Sequence, residues 1–211
     1  MIRPTVVFAL AMALSAIPAY AQAGTETQPP APSAPINASE SAENPFVKGQ
    51  ETISLSASAL IPLFIFPASQ NPPSYPTLFF GGAFSFTYQY FIAQGLAIGG
   101  TIDGAFNGTV AGRSLFTAPL AFRVAYWNTM MPFEFFGAAE LGAYIMRLDT
   151  KGMFGPFAKV GGGALWKSGP GWSIGLQAYY WFVPEIHTSA NSAFTKFGNF
   201  LETGLVAVYH L

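Results

Sequence analysis

Gly82-Ala83-Phe84-Ser85-Phe86-Thr87-Tyr88-Gln89-Tyr90 alternates without a break. Successive side chains of a strand point to opposite faces, so Phe84, Phe86, Tyr88 and Tyr90 share one face while Ala83, Ser85, Thr87 and Gln89 share the other. One face is greasy and the other wet. A strand of this kind suits a wall with lipid outside and a polar, packed interior.

The same pattern recurs to the last residue. Alternating segments fall at about 52–61, 79–90, 96–106, 115–126, 133–145, 154–166, 172–182 and 199–211, with Gly-, Pro- and Asn-rich breaks between them. Each is about 9–13 residues, enough to cross the apolar slab of a membrane when tilted. The expectation is an all-β fold: an eight-stranded antiparallel transmembrane β-barrel over residues 51–211. The breaks after the second, fourth and sixth segments are tight and the others tend to be longer. Short periplasmic turns and longer outer loops are the habit of such barrels, which places both termini in the periplasm. Tyr90, Tyr126, Trp127, Trp166, Trp172 and Tyr209 then cluster at the periplasmic rim, with Phe64, Phe79, Phe116 and Trp181 near the other, where half-wet aromatic rings prefer to sit. Two places resist the pattern. Pro119 lacks an N–H in a barrel without a free edge, so a bulge or an interrupted bond is expected there. Gly161-Gly162-Gly163 weakens the sixth segment and is expected to mark a bend.

Composition agrees. Hydrophobic residues make up 51% of the 211 residues and charged residues 9%, against ~25% charged in soluble domains. The sequence nonetheless holds no internal apolar run of about 18 residues that could serve as a membrane helix. A formal net charge of -1 argues against nucleic acid as a partner. The absence of cysteine excludes disulfides, thiolate catalysis and a lipoprotein anchor. No cofactor is expected. His187 and His210 fall at opposite ends of the barrel, which leaves no metal site.

The first residues read as an address. Arg3 is followed by an apolar stretch from Thr5 to Ile17, then Pro18 and the small-x-small triplet Ala19-Tyr20-Ala21. That is a signal peptide over 1–21, cleaved after Ala21 and exported through the Sec pathway. Residues 22–50 are rich in Pro, Ala, Ser and Glu, too poor in apolar content to offset ordering entropy, and read as a disordered periplasmic leader.

Five charges fall on inward faces: Asp103, Arg123, Glu140, Lys159 and Glu202. An eight-stranded barrel is barely wide enough for its own side chains, so these charges must pair or stay hydrated. They form either a plug of salt bridges or the lining of a narrow polar conduit.

At the chain's end, Leu205, Ala207, Tyr209 and Leu211 resemble the assembly signal of bacterial outer-membrane barrels, with Tyr209 standing in for the usual terminal aromatic. The chain is similar to the small eight-stranded barrels of the OmpW/OmpX/OmpA type, in a form resembling the spirochaete ones. The resemblance implies residence in the bacterial outer membrane, with outer-membrane lipid and the barrel assembly machinery as partners. It also implies a narrow channel or a binding barrel for small, hydrophobic molecules, or else a structural or surface-interaction barrel with a plugged interior. The oligomeric state is left open. A separate stretch, His187-Thr188-Ser189-Ala190-Asn191, resembles the His-x-Ser-Asn stretch of lipid A deacylases. There His187 would be the base, Ser189 the nucleophile, and Glu185 or Glu202 the orienting acid. Ala190, inserted before Asn191, breaks that pattern, and no catalytic residues are assigned.

Overall fold

The computed structural model describes residues 45–67, 78–148, 151–187 and 195–211. The predicted signal peptide and residues 22–44 of the predicted leader lie outside them. Eight strands follow one another: β1 (Glu51–Pro67), β2 (Leu78–Ala93), β3 (Leu96–Thr109), β4 (Ser114–Met130), β5 (Phe133–Leu148), β6 (Lys151–Gly169), β7 (Trp172–Glu185) and β8 (Lys196–His210). Each pairs antiparallel with the next, and β8 pairs with β1, so the sheet closes on itself and has no free edge.

Alternation drives this. Along β4 the inward positions Leu115, Thr117, Pro119, Ala121, Arg123, Ala125 and Trp127 interleave with outward Phe116, Leu120, Phe122, Val124 and Tyr126. A one-residue slip would invert every face. The connections β2–β3, β4–β5 and β6–β7 are each two residues long. Gly95 in the first has φ 70° and Gly171 in the third φ 74°, a left-handed conformation that glycine adopts without steric cost. We call this the turn end; three of the four connections at the opposite, loop end are longer, and the β5–β6 connection is again two residues.

The outward face is a continuous apolar wall. Leu120, Phe122, Leu141, Ile145, Leu176 and Leu205 are all exposed. No helix among the described residues is long and apolar enough to cross a membrane; the strands do the crossing. They run 14–19 residues, longer than the predicted segments and longer than the roughly 9–11 a tilted strand needs. The wall therefore continues past the apolar slab.

Several expectations change. Trp127 and Trp181 are inside the barrel, each 1% exposed, not at its rims. The alternation itself explains this: Tyr126 takes the outward position on β4, and Tyr180 and Phe182 take it on β7, so the tryptophan beside each must turn inward. Tyr90, Tyr126, Trp166, Trp172 and Tyr209 do lie on the outer face near the turn end. Residues 45–50, assigned to the leader, are instead built into the base of the barrel, where Phe46 is buried. At Pro119 the wall keeps its register, but Asp103 and Gly104 have no ladder partners opposite Pro119 and Ala118; the bond is interrupted and no bulge forms. The glycine triplet leaves the register of β6 unshifted against both β5 and β7. It makes room: a Cβ at Gly163 would meet the Phe136 ring at 2.7 Å, and one at Gly161 the Tyr179 ring at 2.6 Å.

A charge placed on the outer wall should be costly at mid-height. Leu141, opposite Phe122, is such a position. Leu141→Arg is expected to destabilise the barrel by about 2–4 kcal/mol in urea titrations from lipid vesicles, and Leu141→Ala by clearly less.

Candidate functional site

At mid-height the lumen is filled from seven of the eight strands, six of them as follows. Gln89 comes from β2, Asp103 from β3, Arg123 from β4, Glu140 from β5, Lys159 from β6 and Glu202 from β8. Register brings Arg123 opposite Glu140, and Glu140 opposite Lys159. All five predicted interior charges meet here. Arg123 is paired with Glu140 through Nη1 and Oε1. Lys159 Nζ lies 3.0 Å from Glu202, 3.3 Å from Asp103 and 3.9 Å from Glu140.

Neutral groups complete the layer. Gln177 Nε2 donates to Glu202 Oε1 at 3.0 Å and Trp181 Nε1 to Glu202 Oε2 at 2.7 Å. Gln89 Oε1 accepts from both Arg123 Nε and Trp127 Nε1, each at 3.4 Å. Lys159 Nζ stands 4.5 Å from the Tyr179 ring centre and 5.0 Å from that of Trp181. Arg123 lies 5.4 Å from Phe136 and 5.5 Å from Tyr179. Each cation thus meets carboxylate on one side and aromatic face on another. No charged member of the layer is more than 4% exposed, so at this level the lumen is filled by an ionic plug of side chains. Two cations face three carboxylates. Asp103 Oδ2 and Glu140 Oε2 are both buried with no hydrogen-bond partner, and of the two Asp103 has the longer cation contact.

Above the plug, Trp181 packs edge-on against Phe157, ring centres 5.1 Å apart, and Tyr144 donates its hydroxyl to Pro184 C=O at 2.8 Å. Beyond them the loop end opens into a cup of about 500 Å³. Ile65, Leu78, Leu115, Met146, Val183 and Phe200 line it with other apolar groups, and Arg113, Glu185 and Lys196 supply its charges. The cup was not foreseen, because its residues come from the ends of many strands and no motif links them.

His187 Nε2 lies 2.7 Å from Glu185 Oε1 near this mouth. Ser189 and Asn191 fall outside the described residues, and Glu202 is engaged in the plug. Among the described residues no group of three or more His, Asp or Glu is placed to hold a metal. Of the suggested assembly signal, Leu205, Tyr209 and Leu211 are exposed on the outer face, with the Tyr209 ring 4.9 Å from Trp172.

Removing one partner from a buried ion pair leaves the other uncompensated. Glu140→Ala is expected to cost roughly 3–5 kcal/mol in equilibrium unfolding. Asp103→Asn, which removes the surplus negative charge, should cost much less, and a double-mutant cycle of Glu140→Ala with Arg123→Met should show strong coupling.

No curated protein matches this sequence. Among solved structures, the barrel is similar to Neisserial surface protein A (NspA), at 12% identity and a TM-score of 0.54, covering 77% of this chain and 97% of that one. It is also similar to the outer membrane protein OprG of Pseudomonas aeruginosa, at 9% identity and a TM-score of 0.51, covering 78% and 97%. At such identities the likeness concerns the fold. One protein-family model matches residues 32–209, most of the chain; the chain belongs to that family, and its fold is that of the eight-stranded outer-membrane barrels.

Proposed function

We propose that this barrel sits in the bacterial outer membrane, after Sec-dependent export, and binds small apolar molecules in its outer cup without conducting them along its axis. The cup carries the reading. Its volume falls within the range of small-molecule sites, and its lining is mostly apolar with a few charged groups, the usual composition of a ligand pocket. The tight turns at the opposite end support placing the cup on the cell's exterior. The ionic plug beneath it supports binding over through-flow, since a solute crossing that layer would have to break buried ion pairs. Catalysis at His187 has a single supporting contact, that with Glu185, and is not part of this reading.

Titration calorimetry on protein in lipid nanodiscs, with octanol and octanoate as probes and empty nanodiscs as the blank, tests it. Saturable heat above the blank is expected, with octanoate favoured where Arg113 and Lys196 contribute. Met146→Trp, which fills the cup, should weaken binding roughly tenfold or more. Heat indistinguishable from the blank would leave a purely structural barrel. Planar bilayers should show no steady conductance; a stable conducting state in the wild type overturns the closed lumen.

A further inference from the structure

Residues 45–50 precede β1, yet they do not leave the barrel. Phe91 N–H donates to Gln50 C=O and Gly49 N–H to Phe91 C=O, both at 2.9 Å, which carries the β1–β2 ladder past its last pair, Glu51 with Tyr90. Gly49, at φ 98°, turns the chain. Gln50 N–H donates to Val47 C=O at 3.3 Å, and Gln50 Oε1 accepts from Val47 N–H at 3.1 Å. Phe46 C=O then accepts from Gly95 N–H at 2.9 Å, so the segment reaches the β2–β3 turn.

Phe46 is only 3% exposed. Its ring stacks on Phe91, centres 5.2 Å apart and planes 7° from parallel. Trp127 and His210 close on it at 5.1 and 5.6 Å. Those three rings belong to β2, β4 and β8. His210 Nε2 lies 3.2 Å from Glu134 Oε2 on β5 and 3.1 Å from Ser173 Oγ on β7. The wall at this level also includes Ala97 and Ala125, which face each other across β3 and β4 and are fully covered. Alanine side chains cannot fill a lumen of this width. The ring of Phe46 supplies the missing volume.

The contact continues upward. Trp127 and Arg123 share Gln89 Oε1 as acceptor, and Arg123 is bound to Glu140. We propose that residues 45–50 form a strap that seals the turn end of the lumen, with Phe46 as its stopper, and that this seal keeps water from the ionic plug above. The strap adds no strand to the wall, so it can leave while the eight strands stay paired. Its release would wet Trp127, Gln89 and Arg123 in turn, and weaken the ion pairs that depend on a dry surrounding.

The chain has no cysteine, which permits a single introduced thiol as a reporter. Ser173 is fully buried beside His210. In nanodiscs, Ser173→Cys should resist a water-soluble, membrane-impermeant maleimide, while Val47→Cys, at an exposed position of the strap, should react freely. Adding Phe46→Ala to Ser173→Cys should raise labelling roughly tenfold or more, because a local opening replaces a global one. Phe46→Leu should restore most of the protection. Heat-modifiable gel migration checks that each barrel is folded. Should Phe46→Ala fail to fold, Gln50→Ala decides: it removes only the acceptor for Val47 N–H and should give intermediate labelling. Equal labelling of Ser173→Cys with and without the strap substitution, in folded protein, overturns the seal. Ligand binding in the cup is not read by this experiment, so the two proposals fail separately.

Discussion

Closing a sheet on itself removes every edge and leaves an interior little wider than the side chains that enter it. Bulk water cannot solvate what points inward, so inward polar groups must satisfy one another. Lys159 answers that constraint most fully: a buried ammonium with Glu202, Asp103 and Glu140 around it and Tyr179 and Trp181 against it. The arrangement needs contributions from β3, β5, β6, β7 and β8 together. A barrel without β6 would leave Glu202 and Asp103 buried with no cation beside them, which is far more costly than an absent contact.

Three levels follow along the axis. The turn end is filled by rings, Phe46 among them, beside the contact of His210 with Glu134 and Ser173. The middle is ionic. The loop end is apolar but widens, since the strands outrun the slab they cross and the plug stops short of the mouth. The cup is therefore the part of the lumen that the barrel does not fill with its own side chains among the described residues. Binding there would leave the plug untouched.

Much of this was legible from alternation. Strand identity, facing, closure and the five interior charges all follow from period two and from where the breaks fall. Even the Arg123–Glu140 pair follows once the connection between Met130 and Phe133 is known to hold two residues, because a turn of that length sets the register for the whole hairpin. The same alternation places Trp127 and Trp181 inward against the usual preference of tryptophan for interfaces, because Tyr126 and Tyr180 occupy the outward positions. The strap was hidden for a different reason. Residues 45–50 have no period and a composition that continues the Pro-rich stretch before them, and their order comes from rings supplied by β2, β4 and β8. The contacts of Lys159 with Asp103 and Glu202 cross the lumen between strands that are not neighbours, and no local pattern encodes them. The empty side of the glycine triplet, needed by Phe136 and Tyr179, is visible only in three dimensions.

Within the plug each charge comes from a different strand: Asp103 from β3, Arg123 from β4, Glu140 from β5, Lys159 from β6 and Glu202 from β8. No hairpin arm can neutralise its own charge. Each of these five strands thus carries a charge that is neutralised only when the strands are correctly aligned, and a slip of one residue would turn Arg123 or Lys159 outward into hydrocarbon. The plug therefore ties strand registration to electrostatics: the penalty that disfavours a misaligned wall comes from the same charges that pair in the correct one.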